Sequence, residues 1–377
     1  MRSTRAIINL NAIEHNISIV KQLAPGCKIM AVVKADAYGH GIVQVTSHLS
    51  QIDAIAVACM DEAITLRNAG ITQPIILLEG FFSDDELAQI IEYNLQTVVH
   101  HEAQVIALEK LAQKYATDTT RLDINEVAKP NHPQFQLIVW LKFDSGMHRL
   151  GFDDAGFIDA YQRLQGLGFI STINPMSHLA CADDIQNPMS QRQIQLFNQV
   201  TTNITGERSM ANSAGVIAWP ESHYQWIRPG IILYGCSPMI GLTGSDHQLI
   251  PVMMLASQLF AIKSIKPGDQ VGYGSAWTAT RETLIGVIAI GYGDGYPRHA
   301  KEGTPVSING KTYPLVGKVS MDMITVDLGE DFSGKIGDEV VLWGDELPVE
   351  TIAQHADTIP YTLLCGVTSR VKFVWNN

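Results

Sequence analysis

Cys27-Lys28-Ile29-Met30-Ala31-Val32-Val33 leads without a break into Lys34-Ala35-Asp36-Ala37-Tyr38-Gly39-His40-Gly41. The apolar half is continuous rather than alternating, which is how a strand reads when both of its faces are covered. The same signature recurs at 54–58, 74–78, 96–99, 136–143, 170–177, 208–211 and 224–228, giving eight runs with 27–33. Amphipathic stretches lie between them. Ser83-Asp84-Asp85-Glu86, ahead of Leu87, Ile90 and Ile91, has the spacing of a capping box that opens a helix. Gly70 stops a helix carrying Ala63, Ile64 and Leu66. Eight strand–helix units over about 230 residues predict a (β/α)8 barrel of the α/β class. A doubly wound open sheet has the same periodicity, which carries no information on closure. The polar stretch 117–133 interrupts the rhythm and reads as a surface insertion or loop.

After about residue 241 the texture changes. Strand-like runs at 252–265, 270–277, 283–290, 304–308, 311–316, 323–328 and 339–343 are separated by Pro267-Gly268-Asp269, Asn309-Gly310, Gly334 and Gly337-Asp338. Asn-Gly between two strands is a hairpin signal. A helix at 349–357 and a last strand near 371–375 close this part. The organisation expected is a barrel over 9–240 and a mainly-β domain made of 241–377 plus residues 1–8.

Composition narrows the function. The chain has 377 residues, 46% hydrophobic and 17% charged, which suits about two folded domains rather than disorder. Acidic residues outnumber basic ones 38 to 26, so nucleic acid finds no general electrostatic foothold. No apolar run approaches the roughly 18 residues of a membrane span. The start, MRSTRAIINLNAIEHN, shows no apolar export core. Five scattered cysteines without a CxxC pair suit reduced thiols, not a disulfide framework or a metal site. A cytoplasmic enzyme is the expectation.

Lys34 stands at the carboxyl end of the first barrel strand, the face where such enzymes carry their active sites. A lysine half-buried there loses proton affinity by desolvation, the property a Schiff-base lysine needs. Taken alone, a strand-end lysine is more often simply solvated.

The surrounding residues supply more. Ala31-Val32-Val33-Lys34-Ala35-Asp36-Ala37-Tyr38-Gly39-His40-Gly41 resembles the pyridoxal-phosphate lysine segment of alanine racemases. Further similar pieces follow in family order. In the barrel they are Ile8-Asn9-Leu10, Lys142-Phe143-Asp144-Ser145-Gly146-Met147-His148-Arg149-Leu150-Gly151, Ser177-His178-Leu179-Ala180, Ala211-Asn212-Ser213-Ala214, Arg228-Pro229-Gly230-Ile231 and Tyr234-Gly235. In the β part they are Gly272-Tyr273-Gly274, Gly291-Tyr292-Gly293-Asp294-Gly295-Tyr296, Gly317-Lys318-Val319-Ser320-Met321-Asp322 and Ile359-Pro360-Tyr361. Each is weak alone; together they span nearly the whole chain.

The resemblance implies a pyridoxal 5'-phosphate enzyme that interconverts L- and D-alanine, for peptidoglycan supply or D-alanine catabolism. It makes Lys34 and Tyr273 the two bases that racemisation requires on opposite faces of Cα. Free tyrosine ionises near pH 10, so a tyrosine base needs a positive field. The cofactor phosphate falls to Tyr38, Asn212, Ser213, Gly230, Ile231 and Tyr361. Ser213 and Gly230-Ile231 also follow the seventh and eighth strands, where barrels commonly bind phosphate. Arg228 is implied beside the ring nitrogen, linked through His178 toward the tyrosine; an arginine cannot take a proton from that nitrogen. Arg149, Met321 and Asp322 are implied at the substrate carboxylate. Lys142, in an apolar strand and near Arg149, would set two buried cations against each other. The family often carbamylates the matching lysine, and Lys142 is the candidate. Family members are dimers in which each site borrows the tyrosine of its partner, so a homodimer with shared sites is expected, without nucleic acid, membrane or metal.

Ser320 stands where many members have cysteine, His148 replaces a commoner small residue, and Thr362 stands where glutamate often follows the tyrosine. None of these departures removes a catalytic group. The rival functions are a racemase for serine or basic amino acids, a decarboxylase on the same barrel, and a non-catalytic pyridoxal-phosphate carrier. Arg228 speaks against the decarboxylase and the complete β part against the carrier. His100-His101 lack ligand spacing, and the run from Gly291 to Gly295 lacks the GxGxxG dinucleotide pattern.

Overall fold

The computed structural model describes residues 3–117 and 136–376. Strand β1 (Arg5–Asn9) leads into the helix Leu10–Leu23, whose N-cap Asn9 accepts from the Ala12 N–H at 3.2 Å. That helix buries Leu10, Ile13, Ile17 and Val20, a single face at helical spacing.

Seven strands then form one parallel sheet: β2 (Lys28–Val32), β3 (Ala54–Val57), β4 (Ile75–Leu77), β5 (Gln96–Val99), β6 (Leu137–Lys142), β7 (Ile170–Met176) and β8 (Trp226–Ile227). The order is β7-β6-β5-β4-β3-β2-β8. All four residues of β3 and all three of β4 are buried, as continuous apolar runs require when helices cover one side and the barrel interior the other. Ser209 closes the ring, bridging Met176 on one side and Trp226 on the other, both in parallel. The expected strand at 208–211 is thus one bridging residue, too short to extend in either direction. Ala211 N–H already turns to the Ser222 carbonyl at 3.1 Å. Closure decides for the barrel over the open sheet.

The β part is built on β9 (Met253–Ile265). The remaining strands are β10 (Gln270–Val271), β11 (Trp277–Thr278), β12 (Thr283–Ile288), β13 (Pro305–Ile308), β14 (Lys311–Pro314), β15 (Ile324–Gly329), β16 (Glu339–Trp343) and β17 (Lys372–Asn376). The first half of β9 pairs with β1 and β16, and its second half with β12. Since β1 also pairs in parallel with β17, both ends of the chain enter this sheet. β15 alternates buried and half-buried residues, the pattern of a sheet with one covered face. Asn309 and Gly310, at φ 52° and 73°, make the tight turn expected between β13 and β14.

Three local expectations are corrected. The run 270–277 is not one strand: Gly272 at φ 79° breaks it, and a short helical turn Tyr273–Ser275 separates β10 from β11. Ser83 does not form a capping box with Glu86, whose carboxylate accepts instead from the Phe82 N–H at 3.2 Å. A helix at Pro360–Cys365 was not foreseen, because six residues behind a proline carry too little periodicity. The 117–133 insertion lies, beyond Thr117, outside the described residues. Among the described residues, no helix is long and apolar enough to cross a membrane.

Candidate active site

At the carboxyl end of the barrel strands lies a cavity of about 450 Å³. It is lined by Lys34, Tyr38, Lys142, Arg149, His178, Asn212, Ser213, Arg228, Gly230, Ile231 and Tyr361. Residues 34 to 361 in sequence, from strand ends and from the β part, therefore meet in one space. Leu78, Glu79, Leu150, Met176 and Cys365 also line it and were missed. Cys365 lies four residues after Tyr361, on the same face of the short helix Pro360–Cys365 that the sequence did not reveal.

Lys34 is half-buried directly behind β2. The residues after it are conformationally unusual: Ala35, Asp36, Ala37 and Tyr38 all have φ of 53–54°, a left-handed turn of L-residues. Such a turn costs about 1–2 kcal/mol per residue, so its surroundings must hold it. Glu62 bridges two backbone donors, Ala35 N–H at 2.7 Å and Ala58 N–H at 2.7 Å. Asp36 Oδ1 accepts from the Ile42 N–H at 2.7 Å. The fully buried His40 ring places Nδ1 at 3.0 and 2.9 Å from the Ala37 and Tyr38 carbonyls, and burial pulls its pKa down to about 4. A neutral ring with Nδ1–H donating satisfies both carbonyls. Trp375 of β17 donates to the His40 carbonyl at 2.9 Å. The result is a lysine on a strained, heavily braced loop.

Arg228, 5% exposed, occupies the cavity wall. It donates to Ser209 Oγ (2.7 Å), the Ser177 carbonyl (2.6 Å), the Met210 carbonyl (3.3 Å) and His178 Nδ1 (3.1 Å). A guanidinium has only donors, so His178 Nδ1 must be the acceptor and carry no proton. Burial, then the charges of Arg228, Lys142, Arg149 and Lys34, hold His178 well below the ordinary histidine range in the same sense. Burial also lowers Arg228, to about 10.

Lys142 at the end of β6 is pulled down to about 8, first by burial, then by Arg228, Arg149 and Lys34, against a small opposing pull from Asp144. This corrects the expected pair of buried cations. Arg149 is exposed, and the buried cation facing Lys142 is Arg228.

Tyr38 stacks on Tyr234 at 4.7 Å and tilts against Tyr361 at 5.9 Å. Burial pushes both Tyr38 and Tyr361 upward, so both phenols stay protonated as donors. Ser213 Oγ accepts from the Gly230 N–H at 2.9 Å and the Ile232 N–H at 3.4 Å, tying the loops after the seventh and eighth barrel staves together. A Cβ on Gly230 would collide with the Tyr38 hydroxyl, so the backbone can come this close only as glycine. Asn212 caps the helix Ser213–Ala218, accepting from the Gly215 N–H at 2.9 Å.

Tyr273, Met321 and Asp322 are elsewhere. Tyr273 is 71% exposed and Met321 51% exposed, and neither lines the cavity of its own chain. Asp322 Oδ1 accepts from Arg370 at 2.6 Å.

Family models describe the two parts separately. "Alanine racemase, N-terminal domain" matches residues 8–238, and "Alanine racemase, C-terminal domain" matches residues 252–375. The chain belongs to the alanine racemase family. The alanine racemase of Shewanella woodyi is 49% identical to it over 368 residues, 97% of each chain. The solved biosynthetic alanine racemase of Pseudomonas aeruginosa superimposes with a TM-score of 0.92 at 38% identity, over 100% of both chains. An alanine racemase of Bartonella henselae, solved with covalently bound pyridoxal phosphate, has a TM-score of 0.86 at 26% identity, again over 100% of both chains. Membership makes the chain an isomerase, and the cavity at the barrel's carboxyl face is its candidate active site.

Proposed function

We propose that the chain racemises alanine with pyridoxal 5'-phosphate in the 450 Å³ cavity, as a homodimer with composite sites. The observation that carries this reading is one cavity that holds both Lys34 and a buried arginine whose hydrogen-bond partners, among the described residues, include no carboxylate. The residues fit the cofactor. Lys34 would hold it through its amine. The phosphate would meet the phenols of Tyr38 and Tyr361, with Asn212, Ser213, Gly230 and Ile231 around it, the missing Cβ of Gly230 letting the Tyr38 hydroxyl sit against this backbone. Arg228 would face the ring nitrogen. Bound there, pyridoxal phosphate supplies an electron-withdrawing ring that lets an amino acid's α-proton leave.

The chain's own groups do the rest. Lys34 Nζ exchanges a proton with one face of the substrate α-carbon, and the partner's Tyr273 holds the proton for the other. Arg228 cannot surrender a proton to the ring nitrogen, which tempers the electron sink and disfavours side reactions. His178, accepting at Nδ1, keeps its proton on Nε2 and passes no charge into the site. Arg149 and the Met321 backbone N–H, with Asp322 beside it, would take the substrate carboxylate. The unit that lends Tyr273 is the β part, residues 241–377 with 1–8. Lys142, near neutrality in its pKa, has a free amine fraction able to add CO₂ and release a proton, giving a carbamate anion among cations. A cytosolic setting, with D-alanine made for peptidoglycan or consumed as a nutrient, goes with this reading.

The test is a racemisation assay of the holoenzyme across a panel of L-amino acids. Alanine should give the highest kcat/KM. Preference for serine or a basic amino acid would establish the broader racemase, and tight cofactor binding without any racemisation would establish the carrier.

A further inference from the structure

Helix Met189–Thr201 packs on the barrel through Ser190, Gln193, Ile194, Phe197 and Thr201, one helical face. Gln193 is a fully buried amide in this stripe, 0% exposed. Its Oε1 accepts from the Ala180 N–H at 2.8 Å, and its Nε2 donates to the His178 carbonyl at 2.9 Å and to Ser145 Oγ at 3.1 Å. The amide therefore grips the backbone turn that directly follows the His178 ring.

The contact to Ser145 has a direction. Ser177 Oγ donates to the Phe143 carbonyl at 2.9 Å, so at its 2.8 Å contact with Ser145 it must accept. Ser145 then donates its only hydroxyl proton to Ser177 and needs a donor for its own oxygen, which Gln193 provides. A one-way chain runs Gln193 → Ser145 → Ser177 → Phe143, with Ser145 5% and Ser177 1% exposed. It ties the ends of β6 and β7 together beside Lys142 and beneath the Ser177 carbonyl that Arg228 grips.

We propose that Gln193 is a positioning residue that sets the His178–Arg228 pair against the cavity, acting through the 177–180 turn. The proposal rests on the reading that this pair faces the cofactor ring. Buried polar groups whose partner is removed are forced to move or find another, so the turn cannot keep its place without the amide.

Two near-isosteric variants separate the parts. Gln193→Met removes every hydrogen bond; Gln193→Glu keeps the acceptor for Ala180 and loses both donors when ionised, or all but one O–H when protonated. In the chain before cofactor is added, Ala180 amide exchange should quicken about 10-fold in the Met variant and stay slow in the Glu variant. In the holoenzyme, both should lose about 10–100-fold in kcat with KM for alanine little changed, as expected of a misplaced group that does not bind the carboxylate. Added to His178→Leu, Gln193→Met should cost nothing further if it acts through that residue. Unchanged Ala180 exchange in the Met variant, a rise in KM with kcat retained, or losses that multiply with His178→Leu would each overturn the proposal. Failure of the underlying reading shows separately, as full kcat in His178→Leu alone. If the Met variant does not fold, the Glu variant, with its exchange pattern and kcat, decides.

Discussion

The two parts of the molecule that carry site residues are built in opposite ways. Around Lys34 everything is enclosed: a left-handed turn pinned by Glu62, Asp36 and His40, a buried arginine with four hydrogen bonds, and a histidine held neutral. Tyr273 stands in solvent on a short turn between two-residue strands, and Met321 stands in solvent just ahead of β15. The enclosed half is organised within one chain. The exposed half leaves Tyr273 and Met321 free of contact with the cavity of their own chain.

The largest effect that can break this comparison comes from separating the halves. Lys34→Ala should abolish racemisation and leave borohydride no site at which to fix the cofactor. Tyr273→Phe should lose about 10²–10⁴-fold, unequally in the two directions when α-proton exchange is followed from each enantiomer. Co-expressed, the two variants should recover about a quarter of wild-type activity if the sites are shared as proposed, since random pairing would make half the dimers mixed, each with one intact site of two. If differentially tagged mixed dimers form and no activity returns, both groups come from one chain.

A smaller effect tests the enclosed half alone. Gly230→Ala places a methyl against the Tyr38 hydroxyl. Overpacking at such a contact costs about 1–3 kcal/mol, so cofactor affinity measured by absorbance titration of the unloaded protein should weaken roughly 10- to 100-fold. Affinity equal to wild type would mean the phosphate does not lie there.

The smallest effect is on stability. His40 has its pKa lowered by burial from 6.5 to about 4, so between those values the unfolded chain binds a proton that the folded chain does not. Stability should therefore fall as pH drops from about 6.5 toward 4, with His40 contributing up to about 3 kcal/mol. His178, lowered by burial and by Arg228, adds loss of the same sign. Gradual denaturant titrations at pH 7, 6 and 5 check it; His40→Gln should flatten the slope. A stability unchanged over that range would mean the ring is not buried neutral. Tyr273 variants should leave that slope unaltered.

Much of this was open to sequence reading because it is local. A continuous apolar run reports burial on both faces, so β2 to β7 were placed within a residue or two, and the Asn309-Gly310 turn followed from its φ requirement. The residues named for the site sit in short ordered motifs, and eleven of them converge on one cavity. Where the chain uses a single residue as a barrel stave, at Ser209, or splits one run into two short strands at Gly272, periodicity had too few residues to register the change.

What the sequence by itself determined is the alternation of strand and helix, the change to a β part, and the family motifs that name the candidate side chains. Tertiary structure alone decided their relations. Glu62 reaches Ala35 across 27 positions, Gln193 reaches Ser145 across 48, and Trp375 reaches His40 across 335. It also made Arg228, and not the exposed Arg149, the buried cation among those acting on Lys142, and left Tyr273 outside its own cavity. The reason is physical: periodicity records which face of one element is buried, whereas these contacts exist only once the sheet closes and brings the strand ends to a common rim.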